Sequence, residues 1–113
     1  MKQFIQTTKN GNYDIKVTLY DRNLYPFYEY CSTLNKHSAS VSVLKNVERV
    51  VRHYKSDSGY DKRDPSDINR FEPMYALVYT SPACELKLVK MNGREVKDIN
   101  KYALKECNIY WSK

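Results

Sequence analysis

A folded core for this chain has to be built partly from tyrosine. Hydrophobic residues make up 42% of its 113 positions, and 11 of them are Tyr; without those rings the apolar share falls to roughly a third. Each tyrosine brings a ring that packs and a hydroxyl that needs a partner. An interior of this kind must supply hydrogen-bond acceptors as well as space. The length is that of one domain, residues 1–113. A domain of this size buries about two thirds of its unfolded surface without metal or disulfide staples.

Alternation points to strands. Tyr13, Ile15, Val17 and Leu19 are interleaved with Asp14, Lys16 and Thr18, the period of a half-buried strand. Asn10-Gly11 just before it predicts a two-residue hairpin turn, with Lys2 to Thr8 as the returning strand. The run Tyr25-Pro26-Phe27-Tyr28-Glu29-Tyr30-Cys31 is β-prone, and Pro26 confines it to an edge strand or a strand start. Alternation places Tyr28 and Tyr30 on one face and Phe27 on the other. Leu34 to Ser40 reads as turn.

A helix follows, from Ser40 or Ser42 to Lys55. Val43, Leu44, Val47, Val50, Val51 and Tyr54 share one face, and either serine suits the N-cap. Its valines lower helix propensity, so the helix depends on packing against a sheet. Residues 56–73 are irregular, with Ser66 or Asp67 opening a helical turn that ends near Phe71. Met74 to Thr80 and Cys84 to Met91 form a hairpin around Ser81-Pro82-Ala83, and Asn92-Gly93 turns into Arg94 to Val96. Asp98 caps a short helix to about Glu106, and Asn108 to Trp111 form a last strand or docked tail. The sum is an α+β domain: an antiparallel sheet built from hairpins, covered on one face by one long and one short helix.

Charge narrows the partner. Lys and Arg number 19 against 13 Asp and Glu, a net charge of +6. Lys45, Arg49, Arg52 and Lys55 lie on or beside the outer face of the helix, Lys62 and Arg63 follow in the loop, and Tyr60 offers a stacking ring. Such a stripe neutralises phosphates, so nucleic acid is the expected ligand of a small, basic, non-catalytic binding protein. Glu48, Asp57 and Asp61 interrupt the stripe, and no RNP, KH, zinc-finger or helix-turn-helix signature accompanies it. The alternative partner is an acidic protein surface, the chain acting as an inhibitor or adaptor. Tyr and Arg dominate such interfaces too. Lys, Asn and Tyr have AT-rich codons, as in a low-GC bacterium or its phage.

No motif names a reaction. A metal-dependent nuclease would need Glu85-Leu-Lys87 on its strand with Asp67 and Glu48 as further acids. The same triplet recurs as Asp14-Ile-Lys16 and Glu95-Val-Lys97, so it carries little weight. Asp57, Asp61, Asp64 and Asp67 match no calcium loop, and no metal is expected there. His37 and His53 have no nucleophile at a recognisable spacing, and no glycine-rich phosphate loop occurs, so no cofactor is expected. Cys31, Cys84 and Cys107 read as reduced, partly buried thiols. With no apolar run of membrane-spanning length and no signal peptide, a cytoplasmic location is expected.

Overall fold

The computed structural model describes residues 4–39 and 41–97. Within them an antiparallel sheet carries one α-helix. The strands are β1 (Asn12–Tyr20), β2 (Pro26–Asn35), β3 (Tyr75–Ser81), β4 (Glu85–Lys90) and β5 (Glu95–Val96), and the helix α1 spans Val43–Ser58. The order across the sheet is β2-β1-β3-β4-β5, every pair antiparallel. The fold is therefore α+β. Apart from a single 3-10 turn at Tyr60–Lys62, α1 is the one helix among the described residues; the expected helix from Asp98 and the closing strand at 108–111 lie outside them.

The alternating residues of β1 become the centre of the core. Tyr13, Ile15, Val17 and Leu19 are buried together with Ala76, Val78 and Val89 from β3 and β4 and Val47, Val50 and Tyr54 from α1. Ser42 caps the helix, its hydroxyl accepting from the Lys45 N–H at 3.3 Å. Gly59 ends it in the left-handed conformation with φ 66°, which glycine adopts without a Cβ penalty. The stretch read as irregular from 56 thus begins with the last turn of α1. In place of a helical turn, Asp67 to Arg70 make a β-turn closed by Arg70 N–H to Asp67 O at 3.0 Å.

Two strand expectations are corrected. No returning strand precedes β1 among residues 4–8, because β2 and β3 occupy both edges of β1. The N-terminal segment instead lies across the helix-bearing face. Ile5 is buried in the core, Thr80 Oγ1 donates to Phe4 O at 3.2 Å, and the Lys87 ammonium sits 4.8 Å from the Phe4 ring centre. The second correction is in β2, which starts at Pro26 as an edge strand but runs on to Asn35, through residues read as turn. Leu19 faces Tyr28 while Tyr20 faces Pro26, so Phe27 is the extra residue of a β-bulge. The bulge cancels the alternation, and Phe27 and Tyr28 both pack on Tyr54, with ring centres 4.8 and 5.5 Å away.

The tyrosine hydroxyls of this core find partners. Tyr54 donates to Phe71 O and accepts from Phe71 N–H, both at 2.9 Å. Tyr28 donates to Asp57 at 2.8 Å, and Tyr60 donates to Glu72. Burial, reinforced by these carboxylates, pushes the Tyr28 hydroxyl well above its ordinary range and the Tyr60 hydroxyl up to about 12. Burial raises Tyr54 as well. A tyrosine whose folded-state pKa is raised holds its proton while the unfolded chain releases one, so stability is intact below pH 10 and falls as pH rises above it. Alkaline titration should accordingly show the tyrosinate absorbance of these three rings arriving late, in step with loss of far-UV dichroism. Early, non-cooperative ionisation of all tyrosines would refute the packing described.

Candidate nucleic-acid interface

The helix and the edge strand keep step with each other. Four residues of helix rise ~6 Å and two residues of strand ~6.6 Å, so side chains at those spacings stay in register. Asp57 accepts from the Tyr28 hydroxyl, His53 stacks on the Tyr30 ring at 4.5 Å, and Arg49 Nη2 reaches Ser32 Oγ at 3.4 Å. Lys45, one helical turn before Arg49, is exposed, and β2 ends at Asn35. One flank of α1 is thus Lys45, Arg49, His53 and Asp57, running from cationic to acidic.

The cationic end gathers residues from three segments. Asn12 pairs with Asn35 and Tyr13 with Leu34. Beyond them Lys36 N–H donates to Gly11 O at 2.9 Å and Asn35 Nδ2 to Asn10 O at 3.1 Å. Lys9, Lys36 and His37 are exposed on these two turns. The N-terminal half of α1 is tied to the same corner through Asn46, whose Nδ2 meets the Tyr13 hydroxyl at 3.3 Å. No Asp or Glu occurs between residues 1 and 13 or between 30 and 47. Lys9, Lys36 and Lys45 therefore lie in segments that carry no acid, while Arg49 follows Glu48, which lines the groove on the other flank of α1.

Arg49 is the most ordered of these cations. Its Nη2 also donates to Asn46 Oδ1 at 3.1 Å, and its guanidinium carbon lies 5.7 Å from the centre of the Tyr30 ring. Asn46 is itself fixed, with Nδ2 bonded to Ser42 O at 2.9 Å, so its carbonyl oxygen is held toward the arginine. Among the described residues no carboxylate pairs with Arg49, whereas Arg63 pairs with Asp67 at 3.1 Å and Arg70 with Glu72 at 3.0 Å.

The stripe expected from the sequence divides. Arg49 bonds Ser32 on β2, while Lys45 and Arg52 are exposed. Lys55 lies on the other flank, beside a groove of about 390 Å³ lined by Val47, Val51, Pro73 and Met91 with Glu48 and Glu72 at its rim. Tyr60 is buried, roofed by Lys55 at 4.7 Å and Arg70 at 3.8 Å, so its ring is shut off from stacking with a base. Lys62 is exposed, but Arg63 is spent on Ser58 O at 2.7 Å and on Asp67. Around this end lie Asp57, Asp61, Asp64, Asp67 and Glu72. Backbone and hydroxyl donors of Ser66 hold the Asp64 carboxyl below its usual range, and the Asn69 N–H, with help from Arg63, does the same for Asp67. Asp64 and Asp67 thus favour their charged form.

Lys9 and Lys36 were missed by the sequence reading. The signal that could have found them is the pair of acid-free stretches, which counting cations alone passes over.

The residues considered for a nuclease do not meet. Lys87 faces Glu95 at 3.5 Å and the Phe4 ring, Asp67 serves Arg63 in the far loop, and Glu48 stands on α1. Among the described residues no three His, Cys, Asp or Glu side chains converge as a metal site. The opposite sheet face holds an open depression of about 670 Å³ floored by Asp14, Lys16, Cys31, Thr33, Tyr79 and Ser81. Its charges are of both signs, with Lys16 paired to Glu29 at 2.8 Å and Asp14 accepting from the Thr33 hydroxyl at 2.6 Å, which suits phosphate poorly. Cys31 and Cys84 are both exposed rather than partly buried, and among the described residues no helix is long and apolar enough to cross a membrane. Compared with known proteins, the chain matches no family model, no curated protein and no solved structure.

Proposed function

We propose that this chain is a small non-catalytic nucleic-acid-binding protein, contacting phosphates through the corner formed by Lys9, Lys36, Lys45 and Arg49, with Arg52 alongside. The observation that carries this reading is the segregation of charge. Lys9, Lys36 and Lys45 come from the β1 approach, the β2 exit and the start of α1, whose segments carry no acid. Arg49 follows one turn after Lys45, while the acids of residues 57–72 collect at the other end of the helix. Concentrated cations attract polyanions, whereas interspersed charges of both signs do not.

Titration of the protein with labelled single-stranded DNA, duplex DNA and RNA tests this, followed by anisotropy at low and physiological salt. Binding that survives physiological salt and prefers one form is expected. Weak binding at low salt only, equal for all three, would sink the reading. A second reading, an inhibitor or adaptor docking on a protein, draws on the far end of the molecule. There Ile68 is 87% exposed on its turn, and Tyr25 and Met74 are also exposed. Under that reading Ile68→Asp abolishes partner capture and leaves nucleic-acid affinity unchanged.

A further inference from the structure

We infer that Arg49 and Ser32, beside the stacked His53 and Tyr30, form a preformed seat for one phosphodiester group. The inference rests on the nucleic-acid reading for the source of that phosphate, but the seat is argued from its own geometry.

A guanidinium has about five N–H donors in a rigid fork. Arg49 commits both Nη2 hydrogens, to Ser32 Oγ and Asn46 Oδ1. Each paired edge of a guanidinium includes Nη2, so the Nε and Nη1 hydrogens remain as single donors, one of them next to the Ser32 hydroxyl. Both committed bonds go to neutral acceptors. They fix the side chain without cancelling its charge, unlike the carboxylates on Arg63 and Arg70. Ser32 accepts from Arg49, so its own hydroxyl proton is free to turn toward the same anion. The Tyr30 ring backs the group, and His53, stacked on that ring, closes the side toward Asp57. Asp57 in turn receives the Tyr28 hydroxyl, which ties the carboxylate on this flank of α1 to β2. An arginine ordered in advance loses little side-chain entropy when an anion arrives.

A structural staple between α1 and β2 is the competing account of Arg49. The two differ in what Arg49→Lys and Ser32→Ala do. Lysine keeps the charge but loses the planar group that bonds Asn46 and Ser32 through one nitrogen and offers N–H donors on the others. Ser32 is only partly buried, so both variants should fold, with thermal unfolding as the control. In the wild type, the Arg49 Nε–H resonance should shift on adding an octathymidylate and on adding inorganic phosphate. Arg49→Lys should weaken octathymidylate binding at least tenfold and Ser32→Ala about threefold, beyond any loss seen with Lys45→Gln. Octathymidylate binding that leaves the Arg49 resonance and the Arg49→Lys affinity unchanged would overturn the seat while sparing the nucleic-acid reading. A phosphate-induced shift at Arg49 with no oligonucleotide binding would keep the seat and overturn that reading, making free phosphate the ligand.

Discussion

Replacing Tyr54 by alanine is expected to lower the unfolding free energy by about 3–5 kcal/mol, the range for deleting a large buried ring. Tyr54 is fully buried on α1. Its ring meets Phe27, Tyr28 and Tyr60 edge-on at 4.8, 5.5 and 6.0 Å, so its loss opens a cavity bordered by three rigid aromatics that cannot collapse into it. The milder Tyr54→Phe keeps the ring and removes both hydrogen bonds to the Phe71 backbone. It should cost about 1–3 kcal/mol, because a buried N–H and C=O are then left unpaired. Urea unfolding of the two variants separates ring from hydroxyl. A Tyr54→Phe as stable as wild type would mean that water replaces the hydroxyl, and that the loop from 59 to 73 is not held to α1 through Phe71.

Neutralising the basic corner should have the largest effect on binding. The triple change of Lys36, Lys45 and Arg49 to Gln is expected to weaken nucleic-acid affinity on the order of a hundredfold at low salt. It should also reduce the slope of log affinity against log salt by about 2–3, since each lost phosphate contact removes roughly 0.7–0.9. The matched control is Lys62→Gln with Arg63→Gln. By sequence these two belong to the same stripe as Lys45 and Arg49. By structure they sit among Asp57, Asp61, Asp64 and Asp67, with Arg63 already paired to Asp67, so the double change should leave the slope nearly intact. Equal losses from the two sets would show that net charge alone drives the association and that the corner has no special part in it.

That contrast shows where a reading of residues succeeds and where it stops. The period-2 pattern of β1, the cap at Ser42, the apolar face of α1 and the edge position of Pro26 all depend on neighbours a few residues apart, and each is found as expected. The second hairpin is also present, with its turn after Ser81 and the next at Asn92-Gly93. The need for tyrosine in the core, read from composition, is met by Tyr13, Tyr20, Tyr28, Tyr54 and Tyr60.

What the sequence leaves open is long-range. Asn10-Gly11 makes a turn whether or not a strand returns from it. It is the pairing of β1 with β2 and β3 that excludes the returning strand, because a strand has only two edges to hydrogen-bond. The alternation through Phe27 and Tyr28 predicts opposite faces, and one inserted residue against Tyr20 reverses the outcome. The basic stripe is linear in sequence and divides in space because α1 lies on β2 with one flank and beside Glu72 with the other. By itself the sequence determined that β1 is extended, that α1 is helical and that rings must fill the core, since those follow from local sterics and the burial of apolar area. Only the tertiary structure decided which cations stand near one another, because that depends on which distant turns the strand register brings to the same corner.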